Sequence, residues 1–340
     1  LGAASVAQAV AATMSGSMKI GAEFDSPESG VDTQNVIDLS NFSVSLSETT
    51  DAGTTISSSF GVIDEGGSDI GDDDNALKLT FTDGSAVELL NAGNASGTNA
   101  VAIPGGAGEM GVAGATANRT QTDLDFAAGS TALGVEWHSA ADFLADGLKM
   151  SVSYSTDNGA AKVPTARLEN SWGVGATYVT SAGDTALTIG TGFSGGDVVT
   201  SGDQTTGGKE GFHAGVSAVT GDLTLAVGYA DGNSFAGRDA SVAQTTNLDI
   251  EGSVLKAGLS YVTGDLTLAL GVTSAEAKDS NFGATTTDDD SKDTMSGSVT
   301  YAVASGVSAV VGYLTEDHND DGATATTGGS SWYIGATMSF

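Results

Sequence analysis

The sequence predicts an all-β fold, a 16-stranded antiparallel β-barrel that crosses a membrane with strands instead of helices. Three observations predict it. Apolar and polar residues alternate with period two along segment after segment, short and long links between those segments alternate, and the chain stops inside a strand.

The last ten residues, Ser331 to Phe340, carry the pattern most plainly. Trp332, Ile334, Ala336, Met338 and Phe340 share one face, and Tyr333, Gly335, Thr337 and Ser339 share the other. An amphipathic strand left open at a chain end is a pairing hazard, and a barrel removes it by pairing the last strand with the first.

Composition narrows the classes. The 340 residues suit either two soluble domains or one large barrel. With 43 Asp and Glu against 11 Lys and Arg, the chain lacks the clustered basic residues that nucleic-acid binding rests on. It has no cysteine, which excludes disulfides and thiolate metal sites. Glycine is abundant at 49 residues and proline scarce at 3, in a sequence too rich in β-branched and aromatic residues for disorder. No run approaches the roughly 18 to 20 apolar residues of a membrane-spanning helix. Wall strands of a barrel need none, since alternation averages their hydropathy near zero. Residues 1–12 resemble the tail of a secretory signal peptide, with Ala7-Gln8-Ala9 and Ala9-Val10-Ala11 as small-residue cleavage candidates. The segment is expected to be either that remnant or a short extension before a single barrel domain, 13–340.

The first strand is expected over about Thr13 to Phe24, with Met14, Met18, Ile20, Ala22 and Phe24 on one face and Ser15, Ser17, Lys19 and Glu23 on the other. A polar stretch, Asp25 to Asn35, leads to a second strand ending with Phe42, Val44 and Leu46, and Asp51-Ala52-Gly53 turns the chain. The third strand carries Ile56, Phe60 and Val62, and an acidic loop, Asp64 to Asn75, follows it. Leu77, Leu79 and Phe81 alternate, Asp83-Gly84 turns, and Val87 and Leu89 return; Asp-Gly between alternating runs is a strong hairpin signal. Asn91 to Ser130 is the longest stretch without a clear strand, a length that marks a functional or mobile loop.

From there strands are expected near Thr131 to His138, Leu148 to Ser155, Ser171 to Val179, Thr185 to Phe193, Gly211 to Val219, Leu223 to Tyr229, Gly252 to Val262, Leu266 to Ser274, Thr294 to Val303 and Val307 to Leu314. Short links at Ser181 to Asp184, Thr220 to Asp222, Thr263 to Asp265 and Ser305-Gly306 alternate with long polar links at Thr156 to Asn170, Ser194 to Glu210, Ala230 to Glu251, Ala275 to Asp293 and Thr315 to Ser330. Tight turns therefore fall on one rim and long loops on the other, the plan of a membrane barrel with periplasmic turns and extracellular loops. Val-Thr-Gly-Asp-Leu-Thr-Leu-Ala occurs at Val219 and again at Val262, a spacing that suits one hairpin plus one loop.

The polar face also carries the charges. Lys19, Lys78, Lys149 and Lys256 each alternate with apolar neighbours, and Glu88, Glu136, His138 and His213 fall on the same face. On a lipid face at mid-height each lysine would cost roughly 2 to 4 kcal/mol, so this side is expected to be a lumen.

With its terminal Phe340, upstream Trp332 and Tyr333, glycine-rich long loop and 16 strands, the chain resembles the general, trimeric porins of Gram-negative outer membranes, a family that includes an alphaproteobacterial branch. The stretch Ala76 to Gly93 is the most porin-like. The resemblance implies a homotrimer in the outer membrane, among membrane lipids and lipopolysaccharide, passing small hydrophilic solutes and ions. It implies that Asn91 to Ser130 folds into the barrel as the constriction and that Asp64 to Asn75 latches onto a neighbouring subunit. It further implies acidic loop residues Glu109, Asp123 and Asp125 facing the basic pore residues Lys19, Lys78 and Lys149, with Arg119 counted among the basic group. No arginine cluster marks the wall, which departs from the porin pattern. A net acidic lumen would give mild cation preference, screened over roughly 8 to 10 Å at physiological salt.

Two alternatives stand beside this reading: a substrate-specific channel, and a structural or adhesive surface β-protein. A solenoid of the latter kind needs a short fixed repeat, which the varied segment lengths do not supply. An enzyme is not expected: the three histidines, His138, His213 and His318, are scattered, and no Gly-x-Ser-x-Gly elbow occurs. No cofactor is expected apart from calcium at oxygen-rich runs. Asp72-Asp73-Asp74, Asp288-Asp289-Asp290 and Glu316 to Asp321 could bind it, but none has EF-hand spacing, and solvated loops are the commoner meaning of such runs.

Overall fold

The computed structural model describes residues 10–28, 30–63, 77–90, 92, 94–105, 133–156, 167–200, 204–232, 250–279, 288–319 and 328–340. In it alternation becomes a wall of 16 strands: β1 (Ala11–Pro27), β2 (Thr33–Thr49), β3 (Thr55–Ile63), β4 (Leu77–Thr80), β5 (Ala86–Leu89), β6 (Gly134–His138), β7 (Leu148–Ser155) and β8 (Arg167–Ala182). The second half is β9 (Thr185–Thr200), β10 (Gln204–Thr220), β11 (Leu223–Gly232), β12 (Ile250–Thr263), β13 (Leu266–Asp279), β14 (Asp288–Ala304), β15 (Val307–Asn319) and β16 (Gly329–Ser339). A single-turn helix, α1 (Ala95–Thr98), lies between β5 and β6. Every strand pairs antiparallel with its neighbours in sequence, and β16 pairs with β1, so the sheet closes.

Closure rests on the two chain ends. The register runs from Ser17 opposite Ser339 to Pro27 opposite Gly329. Beyond it, the Phe340 amide donates to the Gly16 carbonyl at 3.1 Å and the Gly16 amide donates to the Phe340 carbonyl at 3.2 Å. The Phe340 ring covers Gly16, where a Cβ would collide with it, and meets the Phe42 ring at 6.4 Å. The last residue is thus a rung of the ladder, and no edge remains at the seam.

Tight turns gather on one rim. Gly183, Gly221 and Gly264 stand at φ +62°, +57° and +58°, each followed by an aspartate, and Gly306 at +74°. A left-handed residue matches a two-residue hairpin turn to the twist of its strands, and glycine adopts it without strain.

On the opposite rim the strands run further than the sequence predicts. The expected link Ser194 to Glu210 is almost wholly strand, since β9 reaches Thr200 and β10 begins at Gln204. Asp288-Asp289-Asp290, expected in a loop, opens β14 opposite Asp279, Lys278 and Ala277 of β13, and Glu316 to Asn319 completes β15. The reason is that backbone pairing continues above the membrane, where water removes the need for apolar side chains and with it the alternation that marks a strand. At the other end β1 starts at Ala11, two residues before the expected Thr13, while β6 starts at Gly134 instead of Thr131.

The two faces separate as in no soluble protein. Among the outward residues, Phe24, Val174, Phe193, Leu225, Val227, Leu270, Val299, Trp332 and Ile334 are all exposed. Glu23, Glu136, His213, Thr273, Ser296 and Glu316 are buried. No helix among the described residues is long and apolar enough to cross a membrane; the crossing is made by strands.

Candidate functional site: the inner wall and a segment folded against it

Register alone places the inner face. Because opposite residues in a ladder point the same way, one face can be followed around the barrel: Glu88 stands opposite Glu136, Glu136 opposite Ser153, Gly192 opposite His213, Ala230 opposite Val254, and Ala275 opposite Lys292. The same face carries Tyr333 opposite Glu23 and Thr337 opposite Lys19. Lys149 joins it opposite Thr177, and Lys256 opposite Thr273. All four lysines assigned to the polar face lie on it, with Glu88, Glu136, His138 and His213.

The charges on this wall are largely knitted together. Lys78 Nζ reaches Glu88 Oε1 at 2.6 Å, and His138 lies 3.3 Å from Glu88 and 3.6 Å from Glu136. His138 Nδ1 is also 3.1 Å from Ser151 Oγ. Two carboxylates directly opposite on adjacent strands repel; the imidazole between them and the lysine beside them relieve that. Across the barrel Lys292 Nζ meets Glu316 at 3.3 Å, and the Ser331 hydroxyl donates to Asp25 at 2.9 Å. Among the residues of this wall whose side chains are described, Glu23, Asp25, Glu88, Glu136 and Glu316 stand against Lys19, Lys78, Lys149, Lys256 and Lys292. Lys292 and Glu316 lie just outside the strands expected from the sequence, which places Glu316 in an acidic loop instead of on the wall. Alternation carried two residues past Thr294 and past Leu314 would have found both.

Tyr333 belongs to the wall and not to the lumen. It is 1% exposed, its ring lies where Cβ atoms on Gly21 and Gly335 would stand, and its hydroxyl donates to the Ile20 carbonyl at 3.4 Å.

Residues 94–105, the described start of the long loop, run along the inside of this wall. Asn94 caps α1, its side chain accepting from the Gly97 amide at 3.2 Å. The Ala95 amide donates to Ser153 Oγ of β7 at 2.9 Å, and Thr177 Oγ1 of β8 donates to Asn99 Oδ1 at 3.0 Å. His213 Nε2 of β10 lies 2.8 Å from the Ser96 carbonyl. Further on, Ile103 packs against Ala230, Val254 and Ala275 of β11, β12 and β13. The segment therefore crosses the inner faces of seven consecutive strands. Glu109, Arg119, Asp123 and Asp125, the loop's candidate pore residues, lie outside the described residues, as do Asp72, Asp73 and Asp74. No group of metal-ligating side chains occurs among the described residues.

A closed barrel with an apolar exterior, a charged interior and a segment folded inward defines an outer-membrane channel protein. The family comparison agrees: a model described as Gram-negative porin matches residues 1–322, and the chain belongs to that family. It is a channel of the bacterial outer membrane and not an enzyme. Solved structures share the fold at low identity. A porin refined at 1.8 Å is 18% identical, with 97% of this chain and all of that one covered at a TM-score of 0.67. The anion-selective porin from Comamonas acidovorans is 11% identical, with 98% and 100% covered at 0.65. A trimer form of OmpT, an outer-membrane protein of Vibrio cholerae, is 14% identical, with 98% and 100% covered at 0.62. No curated protein matches the sequence.

Proposed function

We propose that this porin passes small hydrophilic solutes and ions by passive diffusion, as a homotrimer with mild preference for cations. The observation that carries the reading is the inner face itself, where five carboxylates and five lysines line one continuous side of the wall. Four of the five carboxylates are buried but none of the five lysines is, and keeping those lysines in a dry core would cost far more than leaving them beside water in a channel. The segment 94–105 supports a constriction formed by the long loop, with Glu109, Asp123 and Asp125 as its acidic rim and Lys19, Lys149 and the Glu88-paired Lys78 on the wall.

Cation preference rests on the loops, because the described side chains of the wall balance. The chain as a whole carries a net charge of -32, to which the described side chains of the inner wall contribute nothing. A field of that sign at the mouth concentrates cations and repels anions within a Debye length.

The trimer reading rests on one sector. The four-residue strands β4 and β5 rise only about 13 Å at roughly 3.3 Å per residue, against an apolar band of about 25 Å. A wall that low is suited to cover by a second copy. Single-channel recording in a planar bilayer across a potassium chloride gradient tests the whole reading. Stepwise conductance, grouped in threes, with a reversal potential favouring potassium is expected. Anion preference would overturn the selectivity, and inserted protein without steps would overturn the channel.

A further inference from the structure

The segment 94–105 meets the wall with its backbone. The carbonyl oxygens of Ala95, Asn99 and Pro104 point at Gly175, Gly190 and Gly258, and a Cβ on any of the three would stand well inside 3.0 Å of that oxygen. These glycines belong to three different strands, β8, β9 and β12. None has a positive φ, so the backbone conformation does not call for glycine there. The close approach of a second backbone does.

His213 completes the arrangement. It is 1% exposed, and because a carbonyl only accepts, its Nε2 must carry the proton it shares with Ser96 at 2.8 Å. The inward segment is thus fitted to the wall at both ends of its path, by an imidazole at α1 and by Gly258 at Pro104.

We propose that Gly175, Gly190, Gly258 and His213 form a seat that fixes how far this segment stands from the wall, and so sets the channel's width and the size of solute it admits. This rests on the porin reading above. The three glycines act as spacers of zero length. A methyl group on any of them moves the segment toward the axis, and loss of the imidazole releases α1 from the wall.

Two measurements test the seat. In liposome swelling with neutral sugars of graded size and in single-channel recording, Gly190→Ala and Gly258→Ala are expected to lower unitary conductance and exclude the larger sugars. Independently, the chain has no cysteine, so Ser96→Cys supplies one thiol at a buried position. That thiol is expected to resist a water-soluble maleimide in the otherwise unchanged barrel, to react in the His213→Ala background, and to be protected again by His213→Gln, which keeps a donor. Alanine variants with unchanged conductance and sugar cut-off, or a thiol equally reactive in all backgrounds, would overturn the seat. Should the alanine variants fail to assemble, the thiol decides. An unmutated protein that inserts without conducting overturns the porin reading, while the thiol still reports on the seat.

Discussion

Lys292 and Glu316 face each other on β14 and β15 with 13% and 1% of their side chains exposed, while Lys78 and Glu88 on β4 and β5 keep 44% and 23%. Burial separates the two pairs in consequence. Exposed pairs are worth about 0 to 1 kcal/mol because water already solvates both partners. A buried pair broken on one side leaves a charge with nothing to offset its desolvation. Lys292→Met should therefore lower the free energy of unfolding by about 3 to 5 kcal/mol, and Glu316→Gln added to it should recover a large part. Denaturant unfolding of the two single variants and the double variant measures this, and no recovery in the double variant would mean that the two residues do not act as a pair. The Lys78–Glu88 contact was legible in the sequence, because both residues lie five positions from Asp83 in a hairpin whose turn is marked by Asp-Gly. The contact of His138 with Glu88 was not legible, since it depends on β5 pairing with β6 across the long loop, whereas Glu136 lies two residues before His138 on the same face of β6.

At the level of elements, the recurrent Val-Thr-Gly-Asp-Leu-Thr-Leu-Ala has one structural meaning in both places. Gly221 and Gly264 adopt the same left-handed conformation, and the following Asp222 and Asp265 each offer a carbonyl to an amide one strand on, Val262 at 2.9 Å and Ala302 at 2.8 Å. Each turn is thereby tied to the next hairpin, which fixes register around the rim. Gly264→Val should cost about 1 to 3 kcal/mol, because a β-branched residue is strained at positive φ. Gly264→Asn should cost much less, asparagine tolerating that conformation. The shift of the denaturation midpoint checks both, and equal losses would place the requirement in space instead of backbone. In the turn between β4 and β5, the Ser85 hydroxyl and then its amide hold the Asp83 carboxyl below the usual carboxylate range. Whatever that contact contributes is present above the ordinary carboxylate pKa and is lost as pH falls through the lowered one.

For the whole molecule, the exterior carries a second message in Asp38. It points outward opposite Ile20, four positions from Phe42 and level with the midpoint between the outward Phe24 and Phe42 rungs. Among the described residues other outward carboxylates lie toward strand ends, Asp231 and Asp317 on the long-loop rim and Glu48 beside the turn that follows β2. A carboxylate at mid-height costs free energy against lipid. Protein cover removes that cost, and the low wall of β4 and β5 is close by in the same part of the barrel. On the trimer proposed above, Asp38→Arg should shift the assembly from trimer to monomer on native electrophoresis while leaving the barrel folded. An unchanged assembly would place the sector in lipid, and Asp38→Leu would then raise stability.

The sequence by itself determined the strand count, the order of turns and loops, the closure of β16 on β1, and which face carries the charges. It could do so because each of these follows from period-two alternation and from turn residues within a few positions of one another. Tertiary structure alone decided three things. Strands outlast their alternation on the long-loop rim, since paired backbone in water imposes no side-chain pattern. Acids and lysines among the described side chains of the inner wall come to balance, since partners on neighbouring strands are brought together only by register. Finally, the long loop runs over Gly175, Gly190 and Gly258, which in sequence are three ordinary glycines among 49 and in space are the places where two backbones come too close for a side chain.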